Sequence, residues 1–433
     1  MNRRLLLLLF VLCGVAPGMP AAERLLRGPY LQLPAPRSMV LRWRTDVESR
    51  GFVWYGTSPT TVTNRANHPG RLVDHVVQLA GLRPATRYYY RLGSETNRFL
   101  TDVSGDFAFV TPPVPGTVQP VRVWAIGDAG TGTTNQANVR NGFYNLYRER
   151  PCDVWLMLGD NAYPEGSDNS FQRTVFEVYG RVFRQCPVWP TLGNHDAYSA
   201  DSPTLSGPYY DIFTLPTLGQ SGGIASGTEA YYAFDFAHVH FVCLDSEDTD
   251  RSPDGAMARW LRADLADNTR DWVVAYFHHP PYSRGTHDSD REGDSGGRLA
   301  EMRRNFLPIL EAGGVDLVLS GHSHVYERSH LVDGHYGTST NLHPSMVLNR
   351  GSGRPDLDGA YEKPSGNAPH RGAVYVVAGS SGHIGSGRLD HPVHWIGLNK
   401  LGSLVLDFDG AEANVRFVGD RGQVRDYFTI RKK

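Results

Sequence analysis

Five times in this chain an apolar run of strand length gives way at once to carboxylate, amide, phenol or imidazole side chains. The clearest case is Val154-Trp155-Leu156-Met157-Leu158, followed by Gly159-Asp160-Asn161-Ala162-Tyr163. A continuous apolar run of this length reads as a parallel strand buried on both faces. The glycine ends the strand and lets the backbone turn. Asp160 then falls at the strand's carboxyl end, where open α/β sheets place their ligands. A carboxylate has two oxygens and can touch two cations at once. Tyr163, on the same loop, carries a phenol that can bind a hard cation as phenolate.

The other four blocks repeat the pattern. Gly127-Asp128-Ala129-Gly130 follows the run Val121 to Ile126, and Gly193-Asn194-His195-Asp196 follows Val188 to Leu192. His278-His279-Pro280-Pro281-Tyr282 ends the run from Trp272, and Gly321-His322-Ser323-His324 ends the run from Val315. Each block alone has a plain explanation. Asp-x-Gly is commonly a turn, Asn194 or Asp196 can cap a helix, and a histidine before proline often only ends a strand. Joint occurrence changes the reading. If these strands share one sheet, all five loops gather on one edge. Oxygen and imidazole donors without a thiolate then suit hard or borderline metals, in numbers sufficient for two ions.

The chain is long enough for at least two domains. Residues 25 to 109 read as all-β, with alternating runs such as Ser38 to Arg44 and Asp74 to Leu79. Leu82-Arg83-Pro84-Ala85-Thr86-Arg87-Tyr88-Tyr89-Tyr90 resembles the corner of fibronectin type III sandwiches, where a tyrosine hydroxyl ties the loop to the backbone. Thr111-Pro112-Pro113-Val114-Pro115-Gly116 is a stiff linker. Beyond it strands and helices alternate. The expected organisation is a leader over 1–22, a fibronectin-like sandwich over 25–113 and an α/β catalytic domain over 119–430. The Gly-, Pro-, Ser- and Asn-rich stretch from His335 to Arg371 reads as a long surface loop bordering the active site.

Arg3-Arg4, the apolar stretch Leu5 to Val15 and the small residues up to Ala22 form an export signal. That run is short for a membrane span, so the expected location is secreted or periplasmic. Forty-three basic residues against 45 acidic ones, with no block of like charge, argue against a nucleic-acid partner. After the signal Cys152, Cys186 and Cys243 remain. Cys152 lies eight residues before Asp160 and Cys186 eight before Asn194, so parallel strands in step bring the two sulfurs level. A Cys152–Cys186 disulfide is expected in an oxidising compartment, with Cys243 a buried free thiol.

The five blocks resemble the five motifs of the purple acid phosphatases, which are metallo-dependent phosphatases of the calcineurin-like kind. Val325-Tyr326-Glu327-Arg328 extends the last motif as in the larger members, which also carry a fibronectin-like domain in front. The resemblance implies a mixed β-sandwich flanked by helices. It implies Fe(III) held by Asp128, Asp160, Tyr163 and His324. A divalent ion (Fe, Zn or Mn) would be held by Asp160, Asn194, His278 and His322, with Asp160 bridging. The resemblance makes Tyr163 the residue that would favour Fe(III) and give the purple colour. The doublet leaves His279 as a rival to His278, which is preferred for its His-x-Pro spacing.

The implied reaction is hydrolysis of a small phosphomonoester by in-line attack of a metal-bound hydroxide, working in acid. His195, oriented by Asp196, would contact the phosphate, and with His287 is a proton donor to the leaving alcohol. Two other readings stand beside it. One is a phosphodiesterase or nucleotidase on the same scaffold, and the other is a secreted binding protein with a dead catalytic domain.

Overall fold

A computed structural model describes residues 23–94, 99–148 and 152–433 of the chain. The expected leader lies outside the described residues. Among those residues, no helix is long and apolar enough to cross a membrane.

The N-terminal part is a sandwich of a three-stranded and a four-stranded sheet. Leu25–Ala35, Ser38–Ser49 and Leu72–Ala80 form the first, and Asn64–Asn67, Phe52–Gly56, Arg87–Gly93 and Ala108–Val110 the second. Alternation drives this packing. In Leu72–Ala80 His75, Val77 and Leu79 are buried while their neighbours point outward. Leu31, Leu41, Trp43, Val53 and Leu92 fill the space between the sheets. The expected tyrosine corner is present: Tyr88 Oη accepts the Arg83 N–H at 2.9 Å.

This sandwich docks on the larger part through polar contacts. Arg27, with its side chain 1% exposed, meets Asp168 at 2.9 Å, and Arg44 meets the other oxygen of Asp168 at 2.6 Å. Tyr30 Oη donates to Ile212 O at 3.0 Å, and Tyr90 Oη to Arg184 O at 2.9 Å.

The larger part has two seven-stranded sheets, so the five motif strands do not share one sheet. Val188–Pro190, Val154–Met157 and Val121–Ile126 are parallel neighbours in the first. Trp272–Tyr276, Leu317–Ser320 and Val374–Ala378 are parallel neighbours in the second. The main apolar cluster draws on both sheets, with Trp124, Trp155 and Leu404 from one and Phe241, Tyr276 and Val376 from the other. Helices cover the outer faces. Phe143 of the helix Thr134–Leu146 stacks on Trp124 at 4.3 Å, and the helices Ala256–Asp267 and Leu307–Ala312 pack on the second sheet through Leu261 and Leu310. Strands covered on both faces explain the continuous apolar runs of the sequence.

Two further expectations are corrected here. The stretch 335–371 is not only a surface loop: Val347–Asn349 pairs with Leu331–Val332, and Tyr361–Lys363 forms the edge of the first sheet beside Val424–Lys432. Cys152 and Cys186 do face each other, yet both are free thiols with sulfurs 3.1 Å apart. Cys243 is buried and free, as expected.

Candidate metal centre

Two sheets packed face to face bring the carboxyl ends of their parallel strands together. The first sheet supplies the loops after Ile126, Met157 and Pro190, and the second those after Tyr276 and Ser320. The join is tight. Asp128 N–H donates to Gly159 O at 3.1 Å, Gly321 N–H to His278 O at 3.0 Å, and His278 Nδ1 lies 2.9 Å from Leu158 O across the two sheets. Gly159 has φ +87°, and a Cβ there would strike the His278 ring. Glycine is needed at that position both for the turn and for the approach.

Three of the expected ligands hold left-handed backbones: Asp128 at φ 54°, Asp160 at 50° and His322 at 64°. Such conformations cost non-glycine residues about 1–3 kcal/mol each and gather at functional sites.

The side chains form two groups joined by one carboxylate. On one side Tyr163 Oη lies 3.0 Å from Asp160 Oδ2, 3.4 Å from Asp128 Oδ1 and 3.4 Å from His324 Nε2. On the other, Asn194 Oδ1 lies 3.0 Å from both His278 Nε2 and His322 Nδ1, which are 3.2 Å apart. Asp160 Oδ1 is 3.4 Å from His278 Nε2. Asp160 therefore presents one oxygen to each group.

The second group tests whether a cation fits. The His278 Nδ1–H is directed to a carbonyl, so Nε2 carries a lone pair. His322 Nε2 meets Ser295 Oγ at 2.6 Å, leaving Nδ1 the free nitrogen. Three lone-pair atoms thus converge, and a cation satisfies all three where a proton serves one. The surroundings agree. Burial, reinforced by neighbouring histidines, holds His322 well below the ordinary imidazole range, and burial brings His324 down to about 4. Both rings are neutral donors. Burial pushes the Asp128 carboxyl up, and burial together with Asp128 and Asp160 pushes the Tyr163 phenol up. These groups call for positive charge beside them.

His279 stays beside the set, with a ring nitrogen within 4.8 Å of ligand atoms of His278 and His322, but it has other partners. Its Nδ1 meets Ser246 Oγ at 3.0 Å and its Nε2 is 3.5 Å from Glu247. His195 is partly buried, with its ring 4.4 Å from that of Tyr163. The expectation that Asp196 orients it is corrected. His195 Nδ1 meets Pro164 O at 2.6 Å. Asp196 is fully buried and accepts the N–H groups of Asn161, Ala162 and Gly193 and the Asn161 side-chain amide. His287 does reach the site: it stacks on His322 at 3.9 Å, and its Nδ1 meets Asp294 at 2.8 Å. Asn194, Tyr198, Glu247, His287, Arg298 and His322 border a cavity of about 390 Å³ beside the centre.

A sixth loop, unread in the sequence, closes the site. It follows the strand Val374–Ala378 and brings His383 Nε2 to 2.7 Å from His324 Nδ1. Its Ser- and Gly-rich sequence carries no metal-type pattern; only its place after an apolar run hinted at it.

Residues 121–326 match the family model for calcineurin-like phosphoesterases, and residues 27–111 that for the purple acid phosphatase N-terminal domain. Purple acid phosphatase 18 of Arabidopsis thaliana is 30% identical over 358 residues, covering 78% of this chain and 73% of that one. Purple acid phosphatase 1 of Ipomoea batatas is 29% identical over 320 residues, covering 68% and 62%. The solved structure of purple acid phosphatase PPD1 from yellow lupin seeds superposes with a TM-score of 0.69 at 18% identity, covering 95% of this chain and 74% of that one. Two family models in the expected order, a relative matched over most of both chains and a shared fold lead to one conclusion: the chain belongs to the purple acid phosphatase family, whose members are binuclear metallophosphatases.

Proposed function

We propose that this protein is an exported acid phosphatase that hydrolyses small phosphomonoesters at a two-cation centre. The observation that carries the reading is the placement of Asp160, with one oxygen toward Tyr163 and the other toward His278. Asp128, Asp160, Tyr163 and His324 would hold Fe(III). Asp160, Asn194, His278 and His322 would hold a divalent ion such as Fe, Zn or Mn. Two such cations supply Lewis acidity for the phosphoryl group and acidify a water.

The chain's own residues do the rest. A phosphate on the two cations would meet His195 on the Tyr163 side and His287 on the His322 side. The Pro164 carbonyl fixes the His195 ring through Nδ1, which leaves Nε2 free toward the substrate. Asp294 holds His287 in the same way. Either imidazolium can hydrogen-bond a phosphate oxygen and deliver a proton to the departing alkoxide. The cavity beside His287 takes the leaving group.

The test compares a phosphomonoester with the bis-ester of the same phenol, across acid and neutral pH, with metal content measured on the same sample. Faster cleavage of the monoester in acid is expected. Preference for the bis-ester would replace this reading by the phosphodiesterase one, and no turnover after metal loading would leave a binding protein.

A further inference from the structure

We propose that His383 is a positioning residue for the Asp128–Tyr163–His324 half of the centre, fixing both the His324 imidazole and the Tyr163 ring; this rests on the two-cation reading above. The argument begins with the far nitrogen of each imidazole donor. A histidine that gives one nitrogen's lone pair to a cation carries its proton on the other, and that N–H needs an acceptor. His278 uses the Leu158 carbonyl at 2.9 Å, and His322 uses the Ser295 hydroxyl at 2.6 Å. For His324 the acceptor is the ring nitrogen of His383 at 2.7 Å.

The loop that carries His383 is fastened at both ends to the site. Ser381 N–H donates to Gly127 O at 3.2 Å, and Gly385 N–H donates to His324 O at 2.8 Å. Gly379 and Gly382 leave it close against Asp128: added Cβ atoms would lie 2.8 Å from Asp128 Oδ2 and 2.6 Å from Asp128 O. The His383 ring also meets Tyr163 edge-on at 5.3 Å, while His195 flanks the same phenol at 4.4 Å. Tyr163 is thus held between two imidazoles. Plain packing explains one such contact, but not a ring that touches both side chains flanking Asp128.

With its Nε2 accepting from His324 Nδ1, His383 keeps its own proton on Nδ1 and is an uncharged acceptor. A neutral acceptor pushes less electron density through His324 than a carboxylate would. The Fe(III) side therefore stays more electron-poor than it would with an aspartate at this position.

The experiment uses the full chain and its His383→Ala, His383→Asn and His383→Asp variants, loaded with iron. Iron retention against a chelator and the position of the visible band are measured, with a thermal melt to show that each variant folds. His383→Ala should lose retention about ten- to a hundredfold. His383→Asn, whose amide oxygen can accept the same proton, should recover most of it. His383→Asp should move the band to shorter wavelength. Wild-type retention and band position in His383→Ala would overturn the proposal, as would a His383→Asn variant no better than alanine. A colourless wild-type protein would defeat the iron assignment instead. Zinc retention then decides, and equal retention by wild type and His383→Ala would overturn the positioning role.

Discussion

The backbone N–H of His195 donates to Asp160 Oδ1 at 2.8 Å. The loop carrying the histidine proposed to face the substrate is therefore fastened to the proposed bridging carboxylate through its main chain. Replacing the two residues should give different results. Asp160→Ala removes a donor from both groups and should lose both metals and more than about a thousandfold in kcat. His195→Ala keeps the backbone bond, so it should retain metal while kcat falls roughly a hundredfold or more, the range of a lost proton donor. Metal analysis beside steady-state kinetics separates them; full activity in Asp160→Ala would sink the assignment.

Asp196 sits in the same motif but has a different task. Burial, with Asp160 nearby, lifts its carboxyl to about 8, and it still gathers three backbone N–H groups. Asp196→Ala leaves these donors buried and unpaired, at about 1–3 kcal/mol each where water cannot replace the carboxylate. The melting temperature should fall by several degrees, and metal retention should fall with it, because Asn161 and Gly193 flank Asp160 and Asn194. A variant with normal stability and only a lower kcat would restore the view that Asp196 serves His195.

Much of the centre was legible because its donors directly follow apolar runs, where strand ends can be read locally. The division into two sheets was legible only through the family resemblance, which implies a sandwich, and not from the strands themselves. It depends on pairings such as Val121–Ile126 with Gly402–Asp409, which no local pattern encodes. The strands Tyr326–Ser329 and His394–Leu398 also went unread: the first is polar but buried, and the second is a half-exposed edge. The partner of His195 was missed because a main-chain carbonyl, Pro164 O, leaves no side-chain signature. Cys152 and Cys186 show the reverse case, since their spacing correctly brought the sulfurs together without deciding whether they bond.

Tyr163 offers a change that separates colour from cation binding. Its hydroxyl touches Asp128, Asp160 and His324 but none of Asn194, His278 and His322. Tyr163→Phe should therefore abolish the visible band and weaken iron binding, while the divalent ion stays bound. An absorption spectrum with metal analysis checks both, and a persistent band would mean that another group gives the colour.

His240 ties the stability of the second sheet to pH. Its ring lies between Asp235 and Asp264, at 2.8 Å from each, with Arg270 on the far oxygen of Asp235 at 3.7 Å. Burial alone would lower its pKa, but the hydrogen bonds and charges of the two carboxylates raise it to about 9. The folded value exceeds the unfolded one, near 6.5. The resulting stabilisation is fully present below about pH 6.5 and is lost as pH rises through about 9. Its size is roughly 3 kcal/mol at most, from 1.36 kcal/mol per pKa unit. Thermal melts of wild type and His240→Gln at pH 6 and pH 10 should show a steeper loss in the wild type. Parallel curves would mean that His240 stays neutral in its carboxylate pair.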